Sequence, residues 1–125
     1  MNFFQFIRSA WKGRSKSKTS PVTEWFKVEF DDAVISLRVN PPKREPWTAE
    51  IKWERIIRIC FNSGDLYNPD TIYIFTDERP ESYSIPSEAD LEGALWNEII
   101  SRNLFDPEVA IQAMSSTNEL FCCPD

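Results

Sequence analysis

The chain has 125 residues, of which 42% are hydrophobic and 14% aromatic, enough to build a single packed core. It has no histidine and a formal net charge of −6. The missing histidine removes the commonest general base, the Ser–His and Cys–His nucleophile systems and the commonest transition-metal ligand.

The charge is unevenly spread. Residues 1–20 carry five basic groups and no acid, a net +5. Residues 21–125 carry 9 basic and 20 acidic groups, a net −11. Within that, residues 77–125 hold 2 basic and 11 acidic groups, a net −9. A body of this sign repels phosphate backbones, so no nucleic-acid partner is expected.

Two parts are expected: a basic amphipathic arm with its linker at 1–20, and one α+β domain at 21–125. Placed at about 100° per residue, Phe3, Phe4, Phe6, Ile7, Ala10 and Trp11 fall in one arc, opposite Gln5, Arg8, Ser9 and Lys12. The polar, basic run Gly13 to Ser20 reads as a flexible linker ended by Pro21. Two readings of the arm stand. It packs on its own domain or is a frayed tail, or it contacts a membrane or partner through Phe3, Phe4, Ile7, Arg8, Trp11 and Lys12. No apolar run reaches the ~18 residues of a membrane span, and Gln5 and Arg8 break the pattern of a signal peptide.

Alternation of apolar and polar residues predicts strands over 24–30, 33–39, 47–53, 55–61, 71–76 and 81–85. Asn40 to Pro46 is too rich in proline for a sheet interior and reads as an exposed loop. Its basic pair Lys43 and Arg44, followed by Trp47, is a candidate binding loop, with a solvated connector as the alternative. Trp25, Trp47, Trp53 and Trp96 read as core or edge cover rather than a ligand cage. Asp65, Asn68 and Asp70 with Ser63 offer oxygens, but their spacing is not that of an EF-hand, and an Asx-rich turn is expected. Asp77 to Pro80 reads as a turn.

A helix over 87–102 is expected, capped by Ser87 with Asp90 three residues on and buried through Leu91, Leu95 and Ile99. Asn103 is its stop signal. Asp106-Pro107 starts a second helix over 107–114, with Val109, Ala110, Ala113 and Met114 on its buried side. The expected core comprises Phe26, Val28, Ile35, Leu37, Ile51, Ile57, Ile59, Ile74, Leu91, Leu95 and Ile99. Cys60, Cys122 and Cys123 are too few for a disulfide framework, and neighbouring Cys122 and Cys123 do not easily pair with each other. A reducing cytoplasm is the simplest setting. Cys122-Cys123-Pro124-Asp125 is a poor prenylation signal.

The run Ile51-Lys52-Trp53-Glu54-Arg55-Ile56-Ile57-Arg58-Ile59 resembles the "I-x-W-x-x-I-x-x-I" stretch of bacterial pleckstrin-homology-like domains. Ile85-Pro86-Ser87-Glu88-Ala89, Leu104-Phe105-Asp106 and Ala110 to Met114 resemble the ending of a group of small bacterial proteins. The resemblance spans 22–114 and implies a fold but no reaction; the second helix departs from the plain pattern. The expectation is therefore α+β: a mostly antiparallel six-stranded sheet or partly closed barrel, then two C-terminal helices, with a short N-terminal amphipathic helix.

No phosphate loop, metal cluster or catalytic constellation is legible, so no catalytic, cofactor or metal residues are assigned. The leading functional expectation is a non-enzymatic interaction or adaptor protein of the bacterial cytoplasm with a protein partner. An acidic, immunity-type inhibitor of a basic partner is one alternative. A module held at the anionic inner membrane by its arm is another, and an Asp/Glu-dependent hydrolase a third.

Overall fold

The computed structural model describes residues 21–125; the expected arm at 1–20 lies outside the described residues. The architecture is α+β, with two antiparallel sheets and C-terminal helices. The first sheet has the order β1-β2-β3, built from Phe26–Phe30, Val34–Val39 and Trp47–Lys52. The second has the order β6-β5-β4-β7. Its strands are β4 (Ile56–Asn62), β5 (Thr71–Thr76), β6 (Arg79–Pro86) and β7 (Leu120–Cys123). The expected single sheet or partly closed barrel of six strands is thus replaced by sheets of three and four strands, with no closed barrel.

The split occurs at Trp53. Residues Trp53–Arg55 form a 3₁₀ turn that takes the chain from β3 into β4. Its indole is buried, donates from Nε1 to the Asp31 carbonyl at 2.8 Å and meets Phe30 edge-on at 6.1 Å. Its backbone N–H donates to the Ala33 carbonyl at 3.1 Å. A large apolar ring with a satisfied N–H therefore fixes the corner between the sheets.

A β-bulge between Ile56 and Arg58 follows. The extra residue breaks the strict alternation, so Ile57, expected in the core, is 55% exposed. Ile59 and Phe61 keep their inward places. The turn between β5 and β6 is also tighter than expected. Thr76 pairs with Arg79, leaving Asp77 and Glu78 as the connection and placing Pro80 inside β6. β6 is an edge strand, where proline is tolerated, and Pro80 falls in the stretch where its register against β5 shifts.

The expected helix over 87–102 is shorter. Residues Ser87–Ala89 and Leu91–Gly93 are separate 3₁₀ turns, and the α-helix runs only over Ala94–Ser101. Glu92 (φ 60°) and Gly93 (φ 69°) are left-handed and break the helical path. Ser87 makes no side-chain cap. Asp90 caps instead, its carboxylate accepting from Leu95 N at 2.7 Å and Trp96 N at 2.9 Å. The broken path also leaves Leu91 46% exposed rather than in the core.

Two further helices lie among the described residues: α1 (Val22–Trp25) precedes β1, and α3 (Pro107–Met114) follows α2 (Ala94–Ser101). Asn103 ends α2 as expected: at φ 62° it lets its own N–H reach Ile100 O and lets Leu104 N reach Ile99 O. Asp106 caps α3 by accepting from Glu108 N at 2.8 Å. Ala110 and Ala113 are buried beneath α3, whereas Met114 is exposed.

Trp96 joins sheet to helices, lying 5.0 Å from Phe61 of β4 and 4.9 Å from Phe105 beyond α2. The core also holds Ile35, Leu37, Ile51, Ile74, Leu95 and Ile99, all fully buried. Val28 lies at its edge, partly buried.

The C-terminal segment forms β7, which pairs with β4 and places Cys60 directly opposite Cys122. The two form a disulfide, leaving Cys123 free. Ser63 adds a clasp: its N–H donates to Glu119 O at 2.8 Å, and its Oγ accepts from Glu119 N at 3.0 Å. This corrects the expectation that the three cysteines stay reduced. Disulfides persist where the surroundings are oxidising, so the cysteines give no support to a reducing cytoplasm.

Candidate functional site: an aromatic and proline-lined cleft

The register of both sheets builds the site. In the first sheet Phe26 pairs with Val39, and Val39 pairs with Trp47, giving one row across three strands. Phe26 and Val39 are buried, and Trp47, on the edge strand, is 42% exposed. In the second sheet Thr71 pairs with Pro86 and Tyr73 with Ser84. These two rows border one open cleft of about 750 Å³.

The cleft floor is aromatic. Phe26 lies 6.1 Å from Trp25 and meets Trp47 edge-on at 6.2 Å. Both geometries are favourable for ring quadrupoles. Tyr73 also lines the cleft, together with Pro41, Pro42, Pro69 and Pro86. A bond of 2.7 Å from Asn40 N to Trp25 O ties the proline loop to the end of α1. Another, 2.9 Å from Ser87 N to Asp70 O, holds the Pro69 and Pro86 sides together.

The expected binding loop divides here. Arg44 and Trp47 line the cleft, whereas Lys43 does not. Lys43 sits in the left-handed region at φ 63°, at the tip of the turn closed by Arg44 N donating to Pro41 O at 3.4 Å. Sequence reading missed Trp25 and Tyr73 as partners of Trp47. Their joint position depends on the pairing of two sheets, which no local pattern carries. Phe3, Phe4, Ile7, Arg8, Trp11 and Lys12 lie outside the described residues.

The polar chemistry of the cleft is sparse. Among its described lining residues, Arg44 is the cation and Glu45 the carboxylate. A single carboxylate provides no acid–base pair. Asp90 is the carboxyl whose pKa is raised, by burial, but it serves as the helix cap described above. Asp65 is held below the usual carboxylate range by backbone N–H groups of Tyr67 and Asn68, each 2.8 Å from its Oδ1. Asp70 Oδ1 accepts from Gly64 N at 2.7 Å. Those oxygens therefore close an Asx turn. Among the described residues no group of three His, Cys, Asp or Glu side chains gathers to hold a metal ion.

Two other depressions are less suited to a ligand. One of about 600 Å³ borders Trp53 and Arg102. There the guanidinium stacks 4.0 Å above the indole, and its Nε and Nη2 donate to Glu98 at 2.8 Å and to the Asp32 carbonyl at 3.3 Å, so two of its three nitrogens are already engaged. The other, of about 350 Å³, lies beside Cys60, Phe75 and Leu120 and shares Tyr73 with the main cleft. Among the described residues no helix is long and apolar enough to cross a membrane.

Comparison with protein-family models, with curated proteins and with solved structures gives no match.

Proposed function

We propose that the chain is a protein-interaction module rather than an enzyme, and that an extended apolar or proline-bearing segment of a protein partner lies in the cleft. The observation that carries this reading is the convergence of Trp25, Trp47 and Tyr73 with four prolines around one open space of about 750 Å³. Aromatic walls offer large contact areas and have only two side-chain torsions to immobilise. Proline walls have almost no side-chain freedom to lose. Such a surface is organised before its ligand arrives, which lowers the cost of binding. Aromatic-lined grooves are also how extended proline-rich segments are held. The single Arg44–Glu45 pair on the rim orients a ligand without supplying reaction chemistry.

The test is selection of displayed random 12-residue peptides on the full chain. Selected peptides are expected to carry aromatic residues or prolines. They should lose roughly tenfold or more in affinity on Trp47→Ala and on Tyr73→Ala, the loss typical of a central aromatic anchor. Both side chains are part-exposed, so the variants are expected to keep the fold. Peptides indifferent to both substitutions would remove the cleft as the binding site.

A further inference from the structure

We infer that the cleft of one molecule receives the loop tip Leu66–Tyr67 of a second copy, so that two chains form a symmetric dimer. This rests on reading the cleft as a protein-interaction site and names its partner. Leu66 is 92% exposed and Tyr67 89%. The next most exposed large apolar side chain among the described residues, Ile111, is 70% exposed. Single apolar residues on a surface are ordinary. Two consecutive ones, held clear of the fold, have the form of an anchor for a second surface. The loop beneath them is fixed. Asp65 N donates to Asn68 O at 2.9 Å, and Asn68 Nδ2 donates back to Asp65 Oδ1 at 3.2 Å. The bonds from Tyr67 N and Asn68 N to Asp65, and from Gly64 N to Asp70, close the loop on itself. Asn118 N, donating to Gly64 O at 3.3 Å, ties its base to the chain ahead of β7. The tip is therefore ordered before it binds, which lowers the cost of association.

Position makes this surface self-complementary. Pro69 lines the cleft, whereas Leu66 and Tyr67, just before it in the chain, do not. The exposed tip thus leaves its own molecule's cleft open and lies beside it. A two-fold axis next to Pro69 places each tip in the other copy's cleft, the reciprocal contact of a closed dimer. The chemistry matches as well. Leucine and tyrosine side chains suit walls made of Trp25, Trp47 and Tyr73. Residues 59–78 contain no Lys or Arg, so Asp65 and Asp70 leave the loop negative. Backbone N–H groups keep the Asp65 carboxyl ionised. Arg44 lines the cleft, and its guanidinium has no partner among the described residues. It is the cation that an incoming acidic loop meets, with Glu45 beside it opposing in part.

The full chain is measured by sedimentation velocity over a wide concentration range as wild type, as Leu66→Ser/Tyr67→Ser and as Trp47→Ala. Wild type is expected to reach the mass of two chains. Each variant should dimerise roughly tenfold or more weakly, the loss typical of a removed anchor. The tip side chains are exposed and Trp47 is part-exposed, so the fold is expected to survive, as circular dichroism checks. The deciding sample is the mixture of the two variants. The tip variant keeps its cleft and Trp47→Ala keeps its tip, so one intact tip–cleft contact forms between them. The mixed pair should therefore associate more tightly than either variant alone.

A wild type that stays a monomer at every concentration would overturn the inference. So would a dimer indifferent to both variants, or a mixture no tighter than its components. A photo-crosslinking benzoylphenylalanine placed at Tyr67 should link between molecules to peptides carrying Trp25, Trp47 or Tyr73. Links confined to other surfaces would also overturn it. If self-association fails these tests while library-selected peptides still lose binding on Trp47→Ala, the dimer falls and the cleft remains a site for a foreign segment. If the selected peptides also ignore Trp47, both readings fall.

Discussion

Reduction of the Cys60–Cys122 disulfide is expected to be the largest single loss of stability available without touching the core. The bond joins residues 62 positions apart. Cross-linking a loop of that length removes chain entropy from the unfolded state worth about 4 kcal/mol at 25 °C. The native state loses little on reduction, because β7 keeps its four paired positions with β4 and the Ser63–Glu119 clasp. For a body of this size a loss of 4 kcal/mol lowers the thermal midpoint by about 15–20 °C. That is a large share of the 5–15 kcal/mol typical of a folded domain. The assay is thermal unfolding by circular dichroism with and without a phosphine reductant, alongside Cys60→Ala/Cys122→Ala and Cys123→Ala. The double variant should match the reduced protein within the cost of two small cavities, about 1–2 kcal/mol. Cys123→Ala should remain reductant-sensitive. Alkylation of unreduced protein should label one thiol, and all three after reduction and unfolding. Three reactive thiols in unreduced protein, or a reductant shift below about 5 °C, would refute the reasoning.

Other expected outcomes follow from single contacts. Asp90→Ala removes two bonds to buried N–H groups at the start of α2 and should cost about 2–3 kcal/mol in urea unfolding. Burial raises the Asp90 pKa above its ordinary 3.8, so the folded chain holds this proton more tightly than the unfolded chain does. Its contribution is therefore full below pH 3.8 and declines as pH rises through the folded pKa. Wild type should hold its greatest advantage over Asp90→Asn at low pH, and an advantage that grows with pH would contradict this. Gly64→Ala should cost about 2 kcal/mol or more, because a methyl group there overlaps the Asn68 carbonyl; a neutral result by urea unfolding would show that the turn shifts freely. Asn103→Val, at φ 62°, should cost about 1–2 kcal/mol, whereas Asn103→Gly should be neutral or stabilising by the same measurement.

The strands were legible because alternation is a local signal. Val34–Val39, Trp47–Lys52 and Thr71–Thr76 lie within a residue of their expected bounds. The Asp106 cap and the Asn103 stop were legible for the same reason, since a cap and the backbone it serves are neighbours in sequence. Ile57 was misplaced because a bulge has no compositional mark: Ile56, Ile57 and Ile59 read as one run, and only pairing with β5 shows where the register shifts. Ser87 reads as the cap because Ser followed three residues later by an acid is a common start signal. The left-handed Glu92 and Gly93 then move the true start to Ala94, and Asp90 reaches forward to serve it.

The cleft shows the same limit at a larger scale. Arg44 and Trp47 stand out in the sequence because prolines bracket a basic pair beside an indole. Tyr73 lies inside the strand expected over 71–76, and Trp25 inside one expected over 24–30 that begins only at Phe26. Each residue was ordinary where it stood. The decisive event is the corner at Trp53, which ends the first sheet and starts the second. It thereby turns a strand pattern for one continuous sheet into two sheets with a shared border. Sequence periodicity reports which residues face the same way along a strand, but not which strand ends meet. The cysteines make the point again. Cys60 and Cys122 became partners only because a four-residue strand from the tail pairs with β4, and a segment reading Leu-Phe-Cys-Cys has no alternation to announce it.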